Sequence, residues 1–225
     1  HPEMFAGVMP ICGFCEVFAK WYWRNAKSVP WYVVGGEFDR DATEQNANVL
    51  NRMLTNNCDL IYAEYIGRGY ESYYAEIHKL FDWMGRQRRA ALPKKFEAQI
   101  LREADDRFYW VECRGLPKKV LLAAANARAG SGRVRPMSLE IKINDGLPGR
   151  TTIYVRSGAE QNVLWLSPEL VDFDKRISVR LNGRAVRING QSKSSDFLRP
   201  SVRTMLEDLR KRGDRQRVYQ VRLPL

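Results

Sequence analysis

The chain has 225 residues, 44% of them hydrophobic, with 37 Lys/Arg against 26 Asp/Glu for a net charge of +11. That composition makes a globular chain of one or two domains and excludes a low-complexity polymer, and no apolar run is long enough to cross a membrane as a helix. Four cysteines are too few and too scattered for a disulfide scaffold.

In chain order, the first clear element is Trp31-Tyr32-Val33-Val34, a short unbroken β-prone run that ends at Gly35-Gly36, as a strand buried on both faces does before a loop. Asp41 and Glu44 then read as a capping box, and Val49, Leu50, Met53 and Leu54 recur at helical spacing. After Asn56-Asn57, Leu60-Ile61-Tyr62-Ala63 predicts a second strand leading into Gly67-Arg68-Gly69-Tyr70. Tyr73, Tyr74, Ile77, Leu80, Phe81 and Met84 form the apolar stripe of another helix. Strand, helix, strand, helix implies a parallel crossover with its functional loops at the carboxyl ends of the strands, so Asp39 and Tyr70 are expected on neighbouring loops.

Charge divides the chain. Residues 1–104 carry 13 basic and 13 acidic side chains, whereas residues 105–225 carry 24 and 13 and hold the whole excess. The basic, proline-containing stretch at residues 86–95 closes the second helix. The domains are therefore read as 1–104 and 105–225, with the boundary inside 90–107 and Phe96–Arg102 as a strand or turn packing back on the first part. The second part reads as mostly antiparallel β with one helix. Phe108-Tyr109-Trp110-Val111 is an aromatic strand; Leu139, Ile141 and Ile143, then Ile153 and Val155, alternate with polar residues. Ile177 to Ile188 is a hairpin joined at Asn182-Gly183, the pair preferred in a type I′ turn. Leu166 to Leu170 is a turn, Val202, Met205, Leu206 and Leu209 give the helix, and Val218–Leu223 closes the sheet.

The acid after one strand and a second functional loop after the next reproduce the last two positions of a serine-hydrolase triad. Here the base position holds Tyr70, and a phenol titrating near pH ~10 does not accept a proton from serine at neutral pH. Residues 1 to about 90 resemble the carboxyl-terminal half of a prolyl-oligopeptidase-like α/β-hydrolase domain, the group that includes secreted peptidases and esterases. The resemblance places Val8-Met9-Pro10-Ile11 as a sheet strand, Gly36-Glu37-Phe38-Asp39 as the acid loop, and Gly67-Arg68-Gly69-Tyr70-Glu71 as a loop whose fourth residue is ordinarily the catalytic histidine. It implies a partial α/β-hydrolase sheet with helices, peptidase or esterase ancestry, a secreted or periplasmic setting, and a second part similar to the accessory domain of some such hydrolases. It also implies that the nucleophile and oxyanion-hole segments lie ahead of His1, so that an upstream half of the same protein, or a protein partner, covers the sheet edge. No Gly-x-Ser-x-Gly elbow is present; Gly130-Ser131-Gly132 lacks the spacing and reads as a flexible loop.

The other candidate chemistries are weaker. Cys12 and Cys15 form a C-x-x-C pair without a second pair to complete a zinc site, and read as small buried residues near a strand end; Cys58 and Cys113 read as packing residues. Glu37 and Asp41 flank Asp39 without a histidine or cysteine to make a metal site, and neither metal nor cofactor is expected. His78 lies in a helix as a surface residue, and Glu71 is a possible carboxylate base in place of Tyr70. Arg180, Arg184 and Arg187 lie on or beside one hairpin as a possible polyanion patch. The aromatics sit in apolar contexts with no RNA-recognition signature, which argues against nucleic acid and for a solvated face, an acidic partner or a cell-surface polymer. Two readings result: a serine-hydrolase-family portion that is inactive as this chain, or a non-enzymatic module working through its basic β domain.

Overall fold

A computed structural model describes residues 1–15, 19–90, 92–128, 134–188 and 195–225. Helices and sheets are mixed, and most strand pairs are antiparallel. The chain divides into two compact units, residues 1–91 with 122–135, and residues 92–121 with 136–225.

In the first unit a short helix α1 (Ala19–Tyr22) precedes strand β1 (Trp31–Phe38), helix α2 (Arg40–Thr55), strand β2 (Leu60–Gly69) and helix α3 (Ile77–Arg86). β1 and β2 pair in parallel from Trp31↔Leu60 to Phe38↔Gly69. On the other side of β1, Val8 and Ile11 bridge to Trp31 and Val34, also in parallel. The order is therefore residues 8–11, β1, β2, with β1 central, and its Tyr32 to Gly36 are buried as the unbroken apolar run requires.

Two local readings are corrected. Asp39, not Asp41, occupies the N-cap of α2, and its carboxylate makes no capping hydrogen bond. The buried face of the α3 region is Tyr73, Leu80 and Trp83, while Tyr74, Phe81 and Met84 are exposed. The large indole decides the rotation of the helix. Trp83 packs edge-on to Tyr32 at 5.7 Å between centroids and fills the space beside Gly7, where a β-carbon would lie 2.5 Å from the ring.

The second unit is built on two sheets. Strands β3 (Lys95–Ile100), β4 (Arg107–Phe108) and β5 (Val111–Arg114) come first, and helix α4 (Lys118–Arg128) starts in this unit. There follow β6 (Met137–Leu147), β7 (Arg150–Arg156), β8 (Gln161–Leu166), β9 (Arg176–Leu181), β10 (Arg184–Ala185), β11 (Ser195–Asp196), helix α5 (Val202–Arg212) and β12 (Val221–Pro224). One sheet runs β10-β9-β7-β6-β3 with β11 also on β9; the other runs β12-β8-β5-β4. β7 and β9 pair in parallel because the intervening β8 belongs to the other sheet.

Three expectations change here. Phe96–Ile100, expected to belong with the first part, pairs with β6 inside the second unit. Phe108 and Val111 are strand residues, paired with each other at the ends of β4 and β5, but Tyr109-Trp110 between them is a tight turn and not a continuation of the strand: Tyr109 has φ 54°, and both rings are buried at the apex. Packing holds that unfavourable backbone, with Phe96 edge-on to both rings at 5.0 and 5.8 Å and Trp110 Nε1 donating to the Pro93 carbonyl at 2.9 Å. The helix α4 was not expected. The hairpin at Asn182-Gly183 forms as read, with φ of 51° and 83°, the positive pair that a type I′ turn requires.

Helix α5 has a Ser201 cap, whose Oγ accepts from Thr204 N at 3.4 Å, and ends at Gly213 in the left-handed conformation. It carries the fully buried Asp208. That carboxylate accepts from Arg212 Nε at 2.7 Å and Tyr219 N at 2.9 Å and lies 3.5 Å from Arg107 Nη2. Residues 130–132, the glycine-serine-glycine look-alike, lie outside the described residues.

Candidate functional site

The parallel register brings the carboxyl ends of the first unit's strands together. Because Phe38 is paired with Gly69, Asp39 and Tyr70 each stand one residue beyond a paired position, on adjacent loops at the same end of the sheet. Two contacts that sequence reasoning missed hold the loops. Glu37 Oε2 accepts from Gly67 N at 2.8 Å, which ties the acid loop to its neighbour across 30 residues. Tyr73, itself in a left-handed conformation at φ 46°, donates its hydroxyl to the Gly69 carbonyl, and that close approach demands a glycine at position 36.

Asp39 is buried, with 5% of its surface exposed, whereas Tyr70 is 77% exposed. Among the described residues, Cys12, Tyr62 and Tyr73 feel the Asp39 charge. Burial pushes the Cys12 thiol up, and Asp39 beside it adds to the effect. Tyr62 is pushed up to about 12, first by burial and then by Glu64 and Asp39. Burial also raises Tyr73. All three therefore stay protonated at neutral pH. Cys12, in a left-handed turn directly after the Ile11 bridge, donates its Sγ to the Glu71 carbonyl at 3.3 Å and joins the 8–11 lane to the second loop.

Glu71, the alternative carboxylate base, is held in an ion pair. Its side chain is paired with Arg68, Nε to Oε1 at 3.0 Å, and that pairing holds the carboxyl below the usual glutamate range. Arg68 also lies over the Tyr65 and Tyr73 rings at 5.1 and 4.9 Å. His78 is exposed on α3, and Asp41 has its backbone in the first turn of α2. Behind the loops, buried Glu76 accepts hydrogen bonds from Tyr32, from Tyr65 at 2.5 Å and from Lys79 at 3.0 Å. Cys15 N donates to the Asn46 side chain at 2.8 Å, and Asn46 returns a bond to Gly13 O at 2.8 Å, which fixes the 12–15 turn to α2. All four cysteines are free thiols.

On the second unit, Arg180, Arg184 and Arg187 are all exposed. The hairpin register sets Arg184 opposite Leu181 and Ala185 opposite Arg180, so Arg180 and Arg184 project from opposite faces of the sheet. Among the described residues no group of three or more His, Cys, Asp or Glu is placed to hold a metal ion, and no helix is long and apolar enough to span a membrane. Compared with known proteins, the chain matches no family model and no curated relative.

Proposed function

We propose that the first unit is the acid-and-base end of a prolyl-oligopeptidase-like α/β-hydrolase domain, of serine peptidase or esterase ancestry, and that this chain is a non-catalytic member of that group. The observation that carries the reading is the pair of adjacent loops after β1 and β2, with a buried carboxylate at Asp39 and, at the position one past Gly69, tyrosine in place of imidazole. Around Asp39 stand a thiol and two phenols whose proton affinities are raised, so these three stay protonated at neutral pH and none of them takes a proton from a nucleophile. The outer edge of residues 8–11 has no strand partner among the described residues, and Met4, Phe5, Ile11 and Phe14, in and around it in sequence, are exposed. An edge of that kind pairs with a further strand, supplied by another segment of the same polypeptide or by a protein partner.

A second reading, a binding module that works through the basic β-rich unit, is favoured by one specific observation. The β-rich unit, residues 92–121 with 136–225, carries 24 basic against 15 acidic side chains and so holds most of the positive excess, with Arg180, Arg184 and Arg187 exposed on it but Arg180 and Arg184 on opposite faces.

The test is hydrolysis of an activated ester, with and without a serine-directed phosphonate. The chain is expected to give buffer-level turnover and no phosphonate adduct. Turnover that the phosphonate abolishes overturns the non-catalytic reading.

A further inference from the structure

The solvent-facing side of the β3-β6-β7-β9 sheet carries two rows of side chains with an arrangement that stability alone does not favour. Register puts Lys95 opposite Lys142, Lys142 opposite Tyr154, and Tyr154 beside Arg180. This gives a Lys–Lys–Tyr–Arg row across four strands, about 14 Å long at the usual ~4.8 Å strand spacing. The next row sets Glu97 opposite Glu140 and Glu140 opposite Arg156. Like charges directly opposite each other destabilise a sheet, and exchanging one lysine with one glutamate would have turned two repulsions into two ion pairs. Instead only Glu140 has a salt bridge, to Arg156 at 3.6 Å, and among the described residues Lys95, Lys142 and Arg180 have none. The rows line a groove of about 660 Å³, and Tyr154 is 40% exposed within it.

We propose that this groove binds an acidic polysaccharide. The site is separate from the hydrolase-like unit and does not depend on that reading. The cationic row meets carboxylates or sulfates along the polymer, and the Tyr154 ring gives a flat apolar surface for a sugar face. The adjoining Glu97 and Glu140 accept hydrogen bonds from sugar hydroxyls. The carboxylate row decides the class of ligand. A phosphodiester backbone laid along the basic row would run within one residue pair of two carboxylates and offers them no donors, whereas a uronate polymer offers both the anions and the hydroxyls.

The measurement is binding of the full chain to polygalacturonate and heparin, with oligo-dT as the comparison, at low and high salt. Binding to the polysaccharides is expected, weakening as salt screens the cationic row. Tyr154→Ala is expected to weaken it by about tenfold or more, as removal of an aromatic anchor does. Lys142→Glu is the second variant, because it removes the repulsion with Lys95: its unfolding midpoint should be unchanged or higher while binding is lost. Glu97→Gln with Glu140→Gln should weaken polysaccharide binding as well. No binding to either polysaccharide, tighter binding to oligo-dT, or tighter polysaccharide binding in the double glutamine variant each overturns the proposal.

Discussion

A β-carbon placed on Gly36 would lie 2.1 Å from the Tyr73 hydroxyl oxygen and 2.4 Å from the Arg68 carbonyl oxygen. The strand that presents the acid loop and the loop that follows β2 are therefore interlocked at atomic distance. Gly36→Ala is expected to destabilise the first unit by about 1–3 kcal/mol, the usual cost of forced overpacking. Adding Tyr73→Phe should recover only part of the loss, since the Arg68 carbonyl belongs to the backbone and stays in place. Denaturant midpoints of the two variants check this, and full recovery in the double variant would show that the backbone clash does not matter.

Asp208 anchors the other unit. Its carboxylate is the shared acceptor for Arg212 and the Tyr219 amide, and the neighbour of buried Arg107. Asp208→Ala leaves buried guanidinium charge without its partner, and a loss of about 3–5 kcal/mol is expected. The nearby Glu207–Lys211 pair, at 3.3 Å and with both side chains about a third exposed, is the contrast. Glu207→Ala should cost only about 0.3–0.5 kcal/mol. Equal effects from the two substitutions would contradict the buried cluster as a main support of this unit.

Acid and alkali should each weaken the first unit through the same cluster. Burial pushes Glu76 up, but the hydrogen bonds from Tyr32, Tyr65 and Lys79 outweigh it and its carboxyl is held low. A lowered carboxyl contributes stability above the unfolded value of about 4.3 and loses it as pH falls through the folded value. Tyr32 is pushed up to about 12, by burial and then by Glu76. A raised phenol contributes fully below the unfolded value of about 10 and loses its contribution as pH climbs toward 12. Glu76→Gln should therefore be less stable than the parent at pH 7, with the gap narrowing below about pH 4. A gap that does not change with pH would show that Glu76 acts by shape alone.

Much of this architecture is legible in particular residues. Trp31–Val34 and Leu60–Ala63 are unbroken apolar runs ending near glycines, and they do form the parallel pair. Asn182-Gly183 specifies its turn through backbone freedom alone, with both φ angles positive. What the sequence hides is either non-local or decided by packing. The Glu37–Gly67 and Cys12–Glu71 bonds span 30 and 59 residues, and no spacing rule connects them. Tyr109 reads as a strand residue because aromatic propensity favours strands, yet burial of its ring and of Trp110 stabilises a left-handed turn. The α3 stripe is ambiguous in the sequence because three apolar residues, Tyr74, Phe81 and Met84, share helical spacing with the buried set but face water. Helix α4 has a signal in its Leu121–Ala125 run of good helix formers, which the surrounding β pattern obscures.

Positions 39 and 70 are proposed above as the acid and base positions of a hydrolase-type site. The most direct test of that assignment needs no nucleophile. The imidazole introduced by Tyr70→His is titrated by NMR in the full chain, alone and together with Asp39→Asn. If the Asp39 carboxylate faces position 70, the imidazolium is stabilised, and its pKa lies above the ordinary ~6.5 and drops back toward that value when Asp39 is neutralised. An imidazole that titrates identically in both backgrounds would contradict the account.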